Sequence, residues 1–209
     1  MERLFITGIG TDVGKTLISA ILTEALQADY WKPVQAGLEP TTDAGTVRSL
    51  VQNPVSQFFP ERYRLLMPAS PHAAAAAEGL TIQLQDFRLP DTQNHLLVEG
   101  AGGLLVPLAP GLLIADLIKH LGLEVVVVSR NYLGSINHTL LTLEALQARG
   151  IRVRGLVFNG EPNAATEDFI SQHTGVPLMP RVLPETEVTP AVVSRYAQEF
   201  RSWFLSTTG

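Results

Sequence analysis

A chain of 209 residues, 45% hydrophobic and 17% charged, is long enough for one domain with a real core and too short for two comfortable ones. That composition excludes a disordered or fibrous protein, and the net charge of −5 argues against general affinity for nucleic acid. The absence of cysteine removes disulfides, thiolate nucleophiles and zinc-finger spacings, so any chemistry runs on other groups.

In chain order, "MERLFITG" enters a strand, "RLFIT", with no basic stretch and long apolar segment ahead of it. No run approaches ~20 apolar residues, so a cytoplasmic location without a membrane partner is expected. The loop "GIGTDVGKT", Gly8 to Thr16, follows, and "GKTLISAILTEALQA" places Leu17, Ile21, Leu22 and Leu26 at helical spacing. A second apolar patch ends at Lys32, where Pro33 stops whatever strand precedes it. From about Gly37 to Gln93 the chain reads as an irregular connection holding one or two helices. Within it "SPHAAAAAEG" offers Ser70 as an N-cap, Pro71 for the first turn and Gly79 as a stop. "HLLVEG", "EVVVVS" and "VRGLVFN" read as further buried strands. The helices "LLIADLIKHLG", "SINHTLLTLEALQARG" and "PAVVSRYAQEFRSWFL" accompany them. Strands apolar along their whole length are covered on both faces, which predicts a mostly parallel sheet flanked by helices, with ligands beyond the carboxyl ends of the strands.

Four constellations fall at those ends. In the first, the amides of Gly10 to Lys15 form a phosphate cradle, Lys15 reaches toward the outermost phosphates and the Thr16 hydroxyl holds magnesium. The standard pattern G-x-x-x-x-G-K-[ST] would put a glycine where Ile9 stands, so Gly8 opens a loop one residue longer. In the second, "WKPVQAG", Lys32 reads either as a solvated surface charge or as a ligand group. In the third, "LLVEGAGGLLVP", Glu99 ends an apolar run; with Asp43 and Thr16 it makes a shell for Mg-ATP, although Asp43 alone also suits a turn. The fourth, "LGSINHT", starts a helix whose free N–H groups suit a carboxylate, or else Ser135 or Asn137 simply caps it; His138 is assigned no role.

These segments, in this order, resemble the dethiobiotin synthetases. Thr7, Gly8, Thr11, Val13, Gly14, Lys15 and Thr16 match that family's T-G-T-D-T-x-V-G-K-T, and "KPVQAG", "SPH", "VEGAGG", "LGSINH" and Phe158-Asn159 follow in the family's spacing. The chain departs from the family at Ile9 and Gly10, in place of threonine and aspartate, and at Ala36, in place of a serine or threonine. The resemblance implies a single three-layer P-loop NTPase-like domain over residues 1–209. It implies the ATP-dependent closure of diaminopelargonic acid and CO2 into dethiobiotin, with release of ADP and phosphate, through a carbamate and a mixed carbamic–phosphoric anhydride. Lys15 and Lys32 are then catalytic, and Thr16, Asp43 and Glu99 hold Mg2+. The nucleotide is held by Asp12, Val13, Gly14, Lys15, Thr16, Leu17, Asp43, Glu99, Gly100, Ala101, Gly102, Asn159, Gly160 and the base-reading segment Leu183, Pro184 and Glu185. Substrate is held by Thr11, Lys32 and Ala36, with its carboxylate at Gly134, Ser135, Ile136 and Asn137 of the other subunit of a homodimer. A partition or division-site ATPase switch shares the loop class but usually carries a second lysine early in the loop, where residues 9 to 12 here are Ile, Gly, Thr and Asp. A cobyrinate-type amidating synthetase usually appends a glutaminase domain with a cysteine nucleophile. A decayed binding module would have lost acids that are still present in this chain.

Overall fold

The computed structural model describes residues 1–207. Its centre is a sheet of β1 (Arg3–Gly8), β2 (Asp29–Trp31), β4 (Phe58–Phe59), β6 (Leu96–Glu99), β9 (Glu124–Ser129) and β10 (Val153–Phe158). These lie in the spatial order β10, β9, β1, β6, β2, β4, and every adjacent pair is parallel. Period-two alternation explains why these strands are apolar throughout. Leu4 and Ile6 of β1, with Val126 and Val128 of β9, enter the layer on one face. Phe5, Val125 and Val127 enter the layer on the other.

The first layer contains α1 (Lys15–Leu26), α2 (Asp43–Leu50) and α7 (Pro190–Thr207). Val193, Tyr196, Ala197, Phe200 and Phe204 of α7 recur at helical spacing and are buried there with Ile18, Ile21 and Leu22 of α1. The second layer contains α3 (Pro71–Ala77), α4 (Ile114–Leu121), α5 (Ser135–Ala148) and α6 (Ala164–Thr174). Two small ladders complete the architecture: β3 (Val34–Ala36) beside β5 (Tyr63–Leu65), parallel, and β7 (Pro107–Ala109) beside β8 (Leu112–Leu113), antiparallel.

The strands quoted from the sequence are β1, β6, β9 and β10, and β2 is the strand expected to end ahead of Pro33; β4 is too short to announce itself. With α3, α2 fills the connection expected to hold one or two helices, although it buries only Val47 and Leu50; α6 has no counterpart in the sequence reading, because it buries only Ile170 and carries no stripe. At α3 the outline is as expected, with Pro71 first in the helix and Gly79 at φ 67 just beyond it. The expected capping bond is absent: Ser70 stands at the N-cap position, but its side chain accepts no hydrogen bond from the helix.

The topology creates a crevice. The connection leaving β1 runs through α1 on one face, while those leaving its neighbours β6 and β9 run through α4 and α5 on the other. Their loops therefore part above the carboxyl end of β1. Among the described residues no helix is long and apolar enough to cross a membrane. Because α7 covers α1 with side chains that are wholly buried, Phe200→Ala should lower the unfolding free energy by about 3–5 kcal/mol, read from equilibrium urea denaturation.

Candidate active site

The strand-to-helix loop is shaped by two left-handed residues, Asp12 at φ 58 and Gly14 at φ 96. Turns of this kind direct successive N–H groups toward a common concavity, and the start of α1 has no side-chain cap to occupy its amides. Gly14 is also required by contact: a Cβ there would lie 2.1 Å from Asn159 Nδ2. That amide donates to the Val13 carbonyl at 2.9 Å, so the loops after β1 and β10 interlock. At the other end of the loop, a Cβ on Gly8 would lie 2.5 Å from Val13 Cγ2. Lys15 lies across the loop with its ammonium donating to the Gly10 carbonyl at 2.9 Å. Burial pushes this lysine below its ordinary pKa, and the neighbouring Lys32 pushes the same way.

Lys32, one residue past β2, is 3% exposed, which removes the surface-charge alternative. Its three ammonium protons have three acceptors: Asp43 Oδ2 at 2.7 Å, Glu99 Oε1 at 3.1 Å and the Gly100 carbonyl at 2.8 Å. Burial opposes its charge, but the Glu99 and Asp43 carboxylates outweigh burial and hold its pKa above the ordinary lysine value. Asp43 shows the converse balance: burial would raise its pKa, yet the Lys32 ammonium holds it low. The Thr16 hydroxyl lies 3.1 Å from Asp43 Oδ1 and 3.0 Å from Glu99 Oε1.

Asp43 reaches the cluster as the first residue of α2, not as a turn residue. The Thr42 side chain caps that helix by accepting from the Gly45 amide at 3.0 Å, and Gln35 Oε1 accepts the Asp43 amide at 3.1 Å. Gln35 Nε2 in turn donates to the Gly37 carbonyl at 3.0 Å, fastening α2 to the end of β3. Reading the sequence gave Gln35 no role. Tyr30 was missed as well; its hydroxyl donates to Glu99 Oε2 at 2.9 Å, and its only sequence signal is another apolar-looking strand position. Burial, then Glu99, raises the pKa of this phenol well above the ordinary tyrosine value, so it stays a donor.

Around this cluster opens a cavity of about 620 Å3. Thr11, Asp12, Gly14, Lys15 and Thr16 line it from the loop; Lys32, Ala36, Asp43, Glu99, Ala101 and Gly102 line it from the other strand ends. A wall formed by Pro68 to Pro71 was not assigned to the site, although Ser70 and Pro71 of "SPH" belong to it. Val13, Leu17 and Gly100 do not line the cavity: Val13 is buried beneath the loop, Leu17 packs beside α1's core, and Gly100 contributes its carbonyl to Lys32. Asn159 and Gly160 meet the C-terminal segment directly, the Gly160 amide donating to the Val182 carbonyl at 2.8 Å. Just beyond, the Leu183 amide donates to the Tyr196 hydroxyl, which donates to Glu185 at 2.6 Å, with Pro184 between. Gly134, Ile136 and Asn137 line a separate cavity of about 850 Å3. Neither Ser135 nor Asn137 caps α5: Gly134 is the N-cap at φ 100, and Ser135 is buried with its hydroxyl accepting from the Tyr132 amide.

A family model described as an AAA domain matches residues 2–192. The chain is 54% identical over 206 residues to the ATP-dependent dethiobiotin synthetase BioD of Cytophaga hutchinsonii, covering 98% of this chain and all of that protein. It is 49% identical over 200 residues to the protein of the same name from Christiangramia forsetii, covering 96% of each. The chain belongs to the dethiobiotin synthetase family. Among solved structures, the septum site-determining protein MinD of Pyrococcus horikoshii, complexed with Mg-ADP, superposes with a TM-score of 0.62 at 13% identity, over all of this chain and 98% of the other. That likeness establishes the fold, a mostly parallel P-loop-type sheet flanked by helices.

The donors in the cluster suit magnesium, which prefers hard oxygens and retains water. Thr16, Asp43 and Glu99 supply a hydroxyl and two carboxylates to one side of the cavity. Among the described residues no group of three or more histidine, cysteine, aspartate or glutamate side chains is set to hold a metal ion. Two carboxylates fit an ion that takes its remaining ligands from phosphate and water. The same burial sets a stability test: Lys32→Met leaves Glu99 without its buried countercharge. It should cost about 3–5 kcal/mol in chemical denaturation, part of which Glu99→Gln restores in the double variant.

Proposed function

We propose that the chain is a cytoplasmic, ATP-dependent ligase of biotin biosynthesis that closes diaminopelargonic acid and CO2 into dethiobiotin, releasing ADP and phosphate. The observation that carries this reading is Lys32, buried and charged at the wall of the loop cavity. Family membership supplies the substrates.

An alkyl amine has a pKa near 10.4, so at pH 7 roughly one molecule in two thousand is the free base. Cations facing the substrate favour deprotonation of its amine and stabilise the carbamate anion that follows. In the proposed sequence the amine nitrogen bonds to the carbon of CO2 and loses its proton. A carbamate oxygen then attacks the γ-phosphorus of ATP, and ADP departs. The second amine, as its free base and tethered close to the activated carbonyl, attacks that carbon; phosphate leaves, the nitrogen gives up a proton to phosphate or solvent, and the urea ring closes. Lys32 remains an ammonium throughout, because Asp43 and Glu99 hold its proton, so it acts by field and hydrogen bonding and not as a base. Lys15 faces the phosphates, whose negative charge opposes the effect of burial on its pKa. Magnesium bound by Thr16, Asp43 and Glu99 would screen the β- and γ-phosphate oxygens. Asp12, Gly14, Lys15 and Thr16, with Ala101 and Gly102, surround the phosphates in this reading, and the base lies against Asn159-Gly160 and Leu183, Pro184 and Glu185. Thr11 and Ala36 face the substrate.

The substrate carboxylate is assigned to Gly134–Asn137 of a second copy in a homodimer. In support, the α5 start lines a different cavity from the loop and carries no side-chain cap. The surrounding surface is apolar: Leu133 is 103% exposed, Leu141 54% and Leu105 50%, more than a lone surface needs.

Incubation with diaminopelargonic acid, bicarbonate and Mg-ATP should yield the cyclic urea by mass spectrometry. Lys32→Gln should lower turnover by about 10²- to 10³-fold while nucleotide affinity, read by calorimetry, is retained. Absence of the urea product from the parent enzyme overturns the assignment.

A further inference from the structure

Sheet register brings a residue with no assigned role onto the site. Tyr30 of β2 pairs with Leu97 of β6, and Glu99 lies two residues further along β6. Side chains two apart on a strand share a face, so Tyr30 and Glu99 are diagonal neighbours in the layer that also contains α1 and α2. Thr16 and Asp43 belong to those two helices. Tyr30 is fully buried, its ring set against Phe58 at 5.8 Å between centroids.

We propose that Tyr30 is a positioning residue for the metal-nucleotide site, acting through Glu99. The inference rests on the reading of Glu99 as a magnesium-side carboxylate. The two oxygens of Glu99 are divided between two tasks. Oε2 receives the Tyr30 hydroxyl at 2.9 Å from within the core. Oε1 faces Thr16 at 3.0 Å and Lys32 at 3.1 Å. A carboxylate that is 1% exposed cannot leave an oxygen without a donor at low cost. Deprived of the phenol, Glu99 turns to share the Lys32 and Thr16 protons between both oxygens, and Oε1 loses its fixed aim into the cavity. The aromatic ring alone does not supply this constraint, since phenylalanine fills the same space against Phe58.

Tyr30→Phe keeps the ring and removes only the hydroxyl. Binding of a fluorescent ADP analogue is followed as Mg2+ is titrated, alongside binding in EDTA and the thermal midpoint. The Mg2+ concentration at half-saturation should rise about tenfold in Tyr30→Phe, with metal-free binding of the analogue unchanged. Glu99→Gln should raise it too, and Tyr30→Phe added to Glu99→Gln should produce no further shift. A Tyr30→Phe protein that loses thermal stability but keeps the parent Mg2+ midpoint, while Glu99→Gln is shifted, overturns the positioning role and leaves the metal reading standing. An additive shift in the double variant also overturns it, because Tyr30 would then act independently of Glu99. An unshifted Glu99→Gln overturns the reading of Glu99 on which the inference rests.

Discussion

A carboxylate at the end of a strand buried on both faces must find its countercharge inside the protein. Glu99 does so in Lys32, and the rest of the site follows from that pairing. With the ammonium shared among Glu99, Asp43 and the Gly100 carbonyl, the carboxyl ends of β2 and β6 and the start of α2 are held together. An isolated pair in so dry a place would cost more in lost hydration than it returns. Here the cost is spread, since each member has further partners: Thr16 and Tyr30 for Glu99, Thr16 and a half-exposed position for Asp43. The cluster thereby keeps charge in an apolar crevice without neutralising it by proton transfer, as Lys32 and Asp43 show by shifting in opposite senses.

Much of the fold was legible because its central strands are long and apolar on both faces. "RLFIT" and "EVVVVS" leave little choice but a covered parallel sheet, and the loop after the first of them marks a phosphate site by glycine and lysine alone. The edge was less legible: a strand was expected ahead of Pro33, without a start, and none around Phe58. Asp29–Trp31 and Phe58–Phe59 form strands of three and two residues, below the length at which alternation is recognisable. They exist because β6 and β2 already present a pairing edge.

The candidate site divides along the same line. Lys15, Thr16 and Glu99 sit at the ends of strongly patterned elements and announce themselves. Asp43 does not: it is separated from Thr16 by 27 residues and belongs to a helix with almost no apolar face. Its position depends on Gln35 and on the Thr42 cap, contacts between short segments that no periodicity encodes. Tyr30 was hidden for the opposite reason, since a tyrosine in an apolar run looks like core, and it is core in every respect but its hydroxyl. The α5 start was ambiguous between cap and ligand site. Three-dimensional structure removed the cap, because glycine occupies the capping position and Ser135 points inward.

The contact between Gly14 and Asn159 gives the crevice a mechanical character. The side chain of Asn159 fills the space a Cβ would take on Gly14 and hangs from the Val13 carbonyl, so two loops from strands two places apart in the sheet mesh like the teeth of a zip. Whatever leans on one tooth strains the other. A side chain larger than hydrogen at position 14, or a bulkier one at position 159, would therefore push both loops apart at once, so the curvature of the first is set in part by the second.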